Sequence, residues 1–180
     1  WWANVRFEKN FTEGLCRLLA ASGCIAVSGG LEVASDRLLQ LIDKGITVAQ
    51  VAKVTDNFTK AGIMVHAYLM YGFPTQTAQE TIDSLEMVRQ LFELGIVQSG
   101  FWHQFAMTAH SPIGLQPEHF QVENLTVHQG TFANNDLPHI DPTGADHIRY
   151  AEGLRKSLFN YMHGLGFEFP LQDWFDFKVP

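Results

Sequence analysis

The segment Ile63–Tyr71, with the sequence Ile-Met-Val-His-Ala-Tyr-Leu-Met-Tyr, decides the fold of this chain. It is rich in β-branched and aromatic residues and is followed at once by Gly72-Phe73-Pro74. This composition, with a turn signal directly after it, predicts a β-strand. Thr77 and Glu80 then have the spacing of a capping box, which predicts a helix that ends at Gly95. The segment and its flank therefore form one strand–helix unit.

The same alternation of strands and helices extends outward from this unit. Three further strands are predicted, at Trp1–Glu8, Cys24–Ser28 and Gly100–Thr108. Helices are predicted after the N-caps Thr12, Ser35 and Thr47, ending at Gly23, Gly45 and Gly62. Strands that alternate with helices favour a parallel sheet with right-handed crossovers. The sequence therefore predicts an α/β fold with four parallel strands.

The last third of the chain has a different character. Ser111–Pro142 contains four prolines and shows no regular pattern of apolar residues. Asp146–His163 shows the apolar periodicity of an amphipathic helix. We therefore expect a loop-rich segment and then a C-terminal helix.

The composition is more apolar than the length requires. Hydrophobic residues make up 46% of the 180 residues, aromatic residues 12% and charged residues 17%. Typical soluble domains have about 25% charged residues. The chain also begins at Trp1-Trp2 rather than at Met. Together these features favour the hypothesis that the chain is a core-rich fragment.

Charge and cysteine content exclude several classes of protein. The formal net charge is −7 and the Lys and Arg residues are scattered, which disfavours a nucleic-acid-binding surface. No apolar run reaches the roughly 18 residues of a membrane span, and the N-terminus lacks the pattern of a signal peptide. The two cysteines are too few for a disulfide scaffold. We expect a cytoplasmic protein without a nucleic-acid partner or a membrane association.

Candidate ligand-binding residues follow the predicted strands, because parallel α/β folds bind ligands at the carboxyl ends of their strands. Such residues are Arg6 and Glu8, the segment Ser28–Glu32, and the segment that starts at Met70. Glycines permit a close approach of the backbone to a ligand, and a carboxylate accepts hydrogen bonds from ribose hydroxyls. The alternative interpretation is that these glycines only turn the chain and that the carboxylate of Glu32 is solvated.

The arrangement of these segments resembles that of radical S-adenosylmethionine (SAM) enzymes. The resemblance rests on the Gly-Leu-Glu segment at Gly30–Glu32, two helices with Lys44-Gly45-Ile46-Thr47, and Gly72-Phe73-Pro74-x-Gln76-Thr77 after the next strand. Within this family, the arrangement most resembles the branch related to cobalamin-binding radical SAM proteins and oxygen-independent coproporphyrinogen oxidases. It implies a partial TIM-like (β/α) barrel, with residues 1–112 as the C-terminal half of the catalytic barrel. Residues 113–180 are then a family-specific extension packed on that barrel.

The resemblance also implies an activity and its cofactors. The full-length enzyme would be an iron–sulfur oxidoreductase that cleaves SAM reductively to a 5′-deoxyadenosyl radical, with cobalamin as a possible further cofactor. Family members bind the [4Fe–4S] cluster through a Cys-x3-Cys-x2-Cys loop. Here Cys16 and Cys24 lie eight residues apart and no third thiol is present. We therefore expect that this chain contains no cluster ligand, no other metal ligand and no catalytic residue, and that it is inactive alone.

The resemblance assigns individual roles in SAM binding to strand-end residues. Glu32 would bind the ribose, Met70 would pack against the adenine, and Gly72 would permit a close approach of the backbone. Arg6 occupies a position that often contacts the methionine carboxylate, and Glu8 lies nearby. The full set of predicted SAM-binding residues is Arg6, Glu8, Ser28, Gly30, Glu32, Met70 and Gly72.

Two alternatives to a SAM-binding fragment stay open. One is a non-catalytic α/β interaction module, whose surfaces bind a partner. The other is a metal-dependent barrel hydrolase that uses His103 and His110, although their spacing predicts opposite faces of a strand. A half barrel would also expose a sheet edge, so we expect self-association through this edge.

Overall fold

The computed structural model describes residues 1–125 and 135–180. Four parallel strands form one sheet in the order β1-β2-β3-β4. Their bounds are Trp2–Val5 (β1), Ala26–Glu32 (β2), Met64–Tyr71 (β3) and Ser99–Gln104 (β4). Within the described residues this sheet does not close into a barrel. The α/β class and the four parallel strands of a partial, TIM-like arrangement are therefore confirmed.

Helices connect the strands and follow the sheet. Their bounds are Glu13–Ala21 (α1), Asp36–Leu41 (α2), Val48–Lys60 (α3), Ala78–Glu93 (α4), Pro112–Leu115 (α5) and Ala151–Met162 (α6). Short 3-10 helices span Pro117–Phe120, Ile148–Tyr150 and Leu171–Trp174. A small antiparallel pair joins Glu123–Asn124 (β5) to His139–Ile140 (β6). In the described ranges, no helix is both long enough and apolar enough to cross a membrane.

The predicted helix signals act as expected. The side chains of Thr12, Ser35 and Thr47 accept hydrogen bonds from the first turns of α1, α2 and α3. Thr77 and Glu80 form both bonds of a capping box at the start of α4. Gly95, just after α4, has a positive φ of 69°. Local sequence therefore determines where these helices begin and end.

One face of the sheet is covered by helices. Along β3 the buried residues alternate, and Ala67, Leu69 and Tyr71 all point to this face. Helix α3 packs on β3 and α6 packs on β4, while α1 contacts α3 and α4 contacts α6. Gly100, paired with Ala67, marks this contact, because a Cβ atom there would lie 3.6 Å from Leu158 of α6. The main core lies between this face and its helices.

The opposite face of the sheet is open. Trp2 and Met64, both in register with Ala26, are 61% and 56% exposed, and Phe101 of β4 is 55% exposed. Parallel sheets are normally covered on both faces. We call the side of the sheet that carries these three residues the open face. It accounts for part of the apolar surplus in the composition.

Three strand boundaries differ from the predicted ones. Strand β1 is shorter, since a turn begins where the Glu8 amide donates to the Arg6 carbonyl. Strand β4 ends at Gln104 rather than Thr108. Strand β2 continues to Glu32, because Gly29 and Gly30 pair with β3 instead of breaking the strand. A Cβ atom at Gly29 would lie 2.5 Å from the ring of Phe7, so this glycine provides space for a buried aromatic residue.

The segment after the sheet packs onto it through α6 and the C-terminal residues. The helix begins with the 3-10 turn at Ile148 and not at Asp146, as its periodicity predicted. The ring of Phe175 lies over Gly153 of α6, where a Cβ atom would be 2.3 Å from the ring. Tyr161 stacks on Phe167 and accepts a hydrogen bond of 3.0 Å from Trp174. Residues 126–134 of the predicted irregular segment lie outside the described residues.

Candidate ligand-binding site

A cavity of about 540 Å³ lies at the carboxyl ends of β2 and β3. Glu32 comes from the end of β2 and Met70 from the end of β3, so two predicted SAM-binding residues share its wall. The other lining residues are mostly apolar and come from later segments: Ile42, Lys44, Phe73, Phe105, Ser111, Pro112, Ile113 and Phe120. The cavity is therefore an apolar chamber with one acidic and one basic group.

The backbone at Glu32 has an unusual conformation. The pairing of β2 with β3 shifts register between Gly30 and Glu32, and Glu32 has a φ of 60°. Positive φ values are uncommon for residues other than glycine and are costly when nothing compensates for them. Here the conformation carries the carboxylate back over the strand, where its Oε1 lies 2.5 Å from Nζ of Lys44. A Cβ atom at Gly30 would lie 2.0 Å from this Oε1 atom. Gly30 therefore provides the space for the carboxylate.

Arg6 and Glu8 lie beside this cavity and do not line it. Nη2 of Arg6 donates a 2.6 Å hydrogen bond to the carbonyl oxygen of Lys44, and its Nε lies 3.4 Å from Glu8. Glu8 lines a separate, smaller cavity of about 220 Å³ that also includes Gln50. Arg6 thus holds the loop that carries Lys44. The sequence prediction placed Arg6 and Glu8 with the SAM contacts, and that role stays a prediction.

Ser28 lies in the middle of β2 rather than at the end of a strand. It is buried, and its hydroxyl accepts a 3.0 Å hydrogen bond from Nε1 of Trp2. Ser28 pairs with His66, whose Nδ1 lies 2.9 Å from the hydroxyl of Ser99. This polar row is two residues before Gly30 along β2, toward the amino ends of the strands. A contact of Ser28 with a ligand stays a prediction.

The turn after β3 is held by a buried glutamine. The amides of Gly72 and Phe73 donate hydrogen bonds of 2.8 and 3.1 Å to Oε1 of Gln76, which is fully buried. Gly72 has a φ of 76°, as a turn of this kind requires. The ring of His147 lies 2.9 Å from the carbonyl oxygen of Gln76 and 3.0 Å from the hydroxyl of Thr81. The turn is therefore fixed by its own glutamine and by the chain before α6.

A bidentate ion pair joins this turn to α2. Arg37 donates from Nε and Nη2 to the two carboxylate oxygens of Glu80, at 2.6 and 2.8 Å, and from Nη2 to the carbonyl oxygen of Thr75 at 3.1 Å. The hydrogen bond with Arg37 lowers the pKa of Glu80 to about 2, with smaller contributions from the backbone and hydroxyl of Thr77. Glu80 therefore caps its own helix and links the two strand-end segments.

A protein-family model matches the part of the chain that contains these strand ends. The radical SAM superfamily model matches residues 6–88, which include β2, β3, Gly30, Glu32 and the turn at Gly72. We call residues 6–88, which are similar to this superfamily, the radical SAM segment. The radical SAM segment therefore contains both strands whose ends form the cavity.

Two curated relatives match parts of the chain. An uncharacterized methyltransferase of Pyrococcus horikoshii is 31% identical over 91 residues, which are 51% of this chain and 20% of that protein. An uncharacterized protein of Methanopyrus kandleri is 31% identical over 70 residues, which are 39% of this chain and 13% of that protein. The chain thus spans a fifth or less of the length of these relatives.

Two solved structures share the fold. Both are of the radical SAM methyltransferase TsrM from Kitasatospora setae, one with cobalamin and a [4Fe–4S] cluster and one with tryptophan substrate and the SAM analogue aza-SAM. The TM-scores are 0.62 and 0.64, at 16% and 15% identity, over 89% of this chain and about a third of TsrM (36% and 35%). They show that this chain shares its fold with part of TsrM. Neither TsrM nor the Pyrococcus relative supports the coproporphyrinogen oxidase branch.

Several residues of the site were not assigned a role from sequence. Lys44 lies in the Lys44-Gly45-Ile46-Thr47 stretch that carries part of the resemblance to radical SAM enzymes, and this was its only signal. Phe105, Ile113 and Phe120 lie in segments without a motif, so their place in the cavity depends on tertiary packing. The two buried contacts of His147 were equally unpredictable.

The cysteines of the radical SAM segment do not fit an iron–sulfur cluster. Cys16 lies in α1 and Cys24 just before β2, so Cys24 is at the amino end of a strand whose carboxyl end forms the cavity. Both are buried. Burial, with a smaller contribution from Cys24, raises the pKa of the Cys16 thiol and disfavours the thiolate that binds iron.

The histidines form no metal site in the described ranges, and the tryptophans do not come together there. No three His, Cys, Asp or Glu side chains there are grouped as a metal site would require. His103 lies in β4, and His110 lies beyond the strand. Trp2 is exposed on the open face while Trp102 is buried beneath the helices, so they do not form one stacking platform. The cavity lined by Glu32 and Met70 is therefore the candidate ligand-binding site.

Proposed function

We propose that this chain forms the SAM-binding segment of a radical SAM enzyme of the methyltransferase type. The observation that carries the proposal is that Glu32 and Met70, from two different strands, line one cavity at the carboxyl ends of the sheet. This is the part of a parallel α/β fold where ligands are bound. The residue types at the two positions suit the two halves of a nucleoside.

The size and lining of the cavity support a ligand such as SAM. Pockets for small molecules usually have volumes of roughly 300–1,000 Å³ and are mostly apolar with a few polar groups, and this cavity has about 540 Å³. Met70, Phe73 and Phe105 provide apolar surface for a purine ring. The carboxylate of Glu32 provides an acceptor for ribose hydroxyls.

The radical chemistry requires a [4Fe–4S] cluster, and the Cys-x3-Cys-x2-Cys loop that binds it in this family does not occur in this sequence. Bound beside a reduced [4Fe–4S] cluster, SAM supplies a 5′-deoxyadenosyl radical or, in methyltransferases, a methyl group. The two buried cysteines do not fit a Cys-x3-Cys-x2-Cys loop. We therefore propose that the cluster ligands lie outside this chain, and we expect no SAM cleavage by the chain alone. The side chains of Glu32 and Met70 act here only in binding and orienting the nucleoside.

The methyltransferase type is supported by the names of two proteins. The Pyrococcus horikoshii relative is an uncharacterized methyltransferase, and TsrM is a radical SAM methyltransferase with cobalamin bound. We therefore propose cobalamin as a further cofactor of the whole enzyme. We also propose that the whole enzyme transfers a methyl group to its substrate and does not oxidise it. This replaces the oxidoreductase hypothesis drawn from the sequence.

Isothermal titration calorimetry with SAM tests the proposal. We expect the wild-type chain to bind SAM, and Glu32→Ala to weaken binding by at least about tenfold, as loss of a hydrogen bond to a charged group implies. Asp56→Ala is the matched control, because it removes an ion pair on α3. Absence of SAM binding by wild type, or equal losses in both variants, would contradict the proposal. Reconstitution with iron and sulfide should give no cluster absorbance.

A further inference from the structure

We infer that Lys44 is a positioning residue that orients the Glu32 carboxylate for the ribose hydroxyls of the ligand. The inference rests on the proposed function and adds a specific role for a residue that neither the motif nor the family match assigns. Nζ of Lys44 lies 2.5 Å from Oε1 of Glu32, and both residues line the cavity. The two side chains are 23% and 24% exposed, so the ion pair is partly shielded from water.

The lysine is itself held in place by the surrounding backbone. Its amide donates a 3.0 Å hydrogen bond to the carbonyl oxygen of Leu39, and its carbonyl oxygen accepts one of 2.6 Å from Nη2 of Arg6. Gly45, the next residue, has a φ of 71°, which the turn requires. The loop between α2 and α3 is thus anchored to α2 on one side and to the end of β1 on the other. The backbone position from which the Lys44 side chain extends is therefore fixed.

The position of the Glu32 carboxylate depends on the lack of a side chain at Gly30. A Cβ atom at Gly30 would lie 2.0 Å from Oε1 of Glu32 and 3.0 Å from Nζ of Lys44. The ion pair therefore sits directly on the backbone of β2, and Gly30 makes this possible. In residues 1–125 and 135–180, Oε2 of Glu32 has no hydrogen-bond partner. One oxygen is thus engaged by Lys44 while the other is available to a ligand.

This arrangement prepares the acceptor before the ligand arrives. A carboxylate on a free side chain loses rotamer entropy when it binds, whereas a carboxylate already held by an ion pair loses less. The contrasting role for Lys44 is a direct contact with the carboxylate of the ligand's methionine part. The contact to Glu32 and the position over Gly30 favour orientation of Glu32.

The test measures binding of SAM and of 5′-methylthioadenosine, which keeps the ribose and has no carboxylate, by calorimetry. The variants are Lys44→Met, Lys44→Arg, Glu32→Gln and the double variant Glu32→Gln/Lys44→Met. Lys60→Met is the control, because it removes a lysine paired with Asp56 on α3. Circular dichroism and urea unfolding establish that each variant is folded. Wild-type binding of SAM, measured first, tests the proposed function by itself.

If Lys44 orients Glu32, Lys44→Met lowers the affinity for both ligands by about tenfold. Lys44→Arg keeps most of the wild-type affinity. In the Glu32→Gln background, Lys44→Met changes the affinity by less than about twofold. A loss confined to SAM that persists in the Glu32→Gln background would overturn the inference in favour of a direct contact with the ligand carboxylate. Unchanged or tighter binding by Lys44→Met would also overturn it. If wild type binds neither ligand, the proposed function fails and the inference fails with it.

Discussion

The carboxylate of Glu32 lies directly over Gly30, two residues earlier on the same strand, where a Cβ atom would come within 2.0 Å of Oε1. This relationship explains why a glycine stands at residue 30 although its φ is not in the left-handed region. The strand shifts register between these residues, and Glu32 takes the positive φ instead. A strained residue at the end of a strand and beside a cavity is typical of a functional position.

Gly30→Ala should therefore affect binding more than folding. The added methyl group meets the end of a flexible side chain, so we expect a change in the free energy of unfolding within about 1 kcal/mol. The carboxylate must leave its place, and SAM affinity should fall by about tenfold or more. Gly14→Ala in α1 is the matched control, since no atom of the described part of the chain lies within 4 Å of its Cβ position. Calorimetry that finds SAM affinity unchanged in Gly30→Ala would contradict this account of Glu32.

Gln76 should be a structural residue of the turn after β3. Gln76→Met removes the acceptor of two amides, Gly72 and Phe73, and we expect a loss of about 1–3 kcal/mol in the free energy of unfolding. Within residues 1–125 and 135–180, its Nε2 atom is buried without a hydrogen-bond partner, which reduces the loss. Urea unfolding provides the measurement. Gln90→Met, at an exposed position of α4, should change stability by less than about 0.5 kcal/mol. Equal stabilities of the two variants would show that the turn does not depend on Gln76.

The ion pair between Glu80 and Arg37 should make stability depend on pH in the acid range. The pKa of Glu80 is lowered to about 2 in the folded chain, so its contribution is fully present above the unfolded pKa near 4.5. This contribution is lost as the pH falls from about 4.5 toward 2. Because Arg37 is half exposed, we expect only about 1–2 kcal/mol. Wild type should therefore exceed Glu80→Gln in stability at pH 6 and approach it at pH 2.5. A difference that stays constant over this range would contradict the assignment.

The open face should drive self-association of the chain. Trp2, Met64 and Phe101 expose more than half of their surface there, and large exposed apolar patches mark interaction surfaces. Light scattering should show a mass that rises with concentration, and Phe101→Ser should shift the chain toward the monomer. Leu94→Ser, at an exposed position after α4, is the control. A wild-type monomer that persists at every concentration would exclude this proposal.

Local features of the fold were predictable from sequence, and non-local ones were not. Caps at Thr47 and Thr77 act within four residues, so the sequence alone reveals them. Strand β2 was predicted too short, because glycines usually interrupt strands, whereas here the ring of Phe7 occupies the space above Gly29. The division of the chain at residue 112 stays a prediction.

In the candidate site, too, local features were predictable from sequence and long-range contacts were not. Glu32 and Met70 were identified from strand ends and from the resemblance, and the structure brings them to one cavity. Lys44 was missed because its contact with Glu32 depends on how the loop after α2 returns to the sheet. His147 was missed because its partner, Gln76, is 71 residues away in sequence. Contacts of this kind depend on the folded topology and leave no periodic signal.

The central claim, that SAM binds between Glu32 and Met70, is tested most directly by NMR of the chain labelled with ¹³C at its methionine methyl groups. Five methionines give few signals, and Met70 and Met64 lie at opposite ends of the same strand. On addition of SAM we predict that the methyl signal of Met70 shifts, because Met70 lines the cavity, while that of Met64 on the open face stays in place. A Met70 signal that does not move at saturating SAM, or a shift of Met64 alone, would contradict the account.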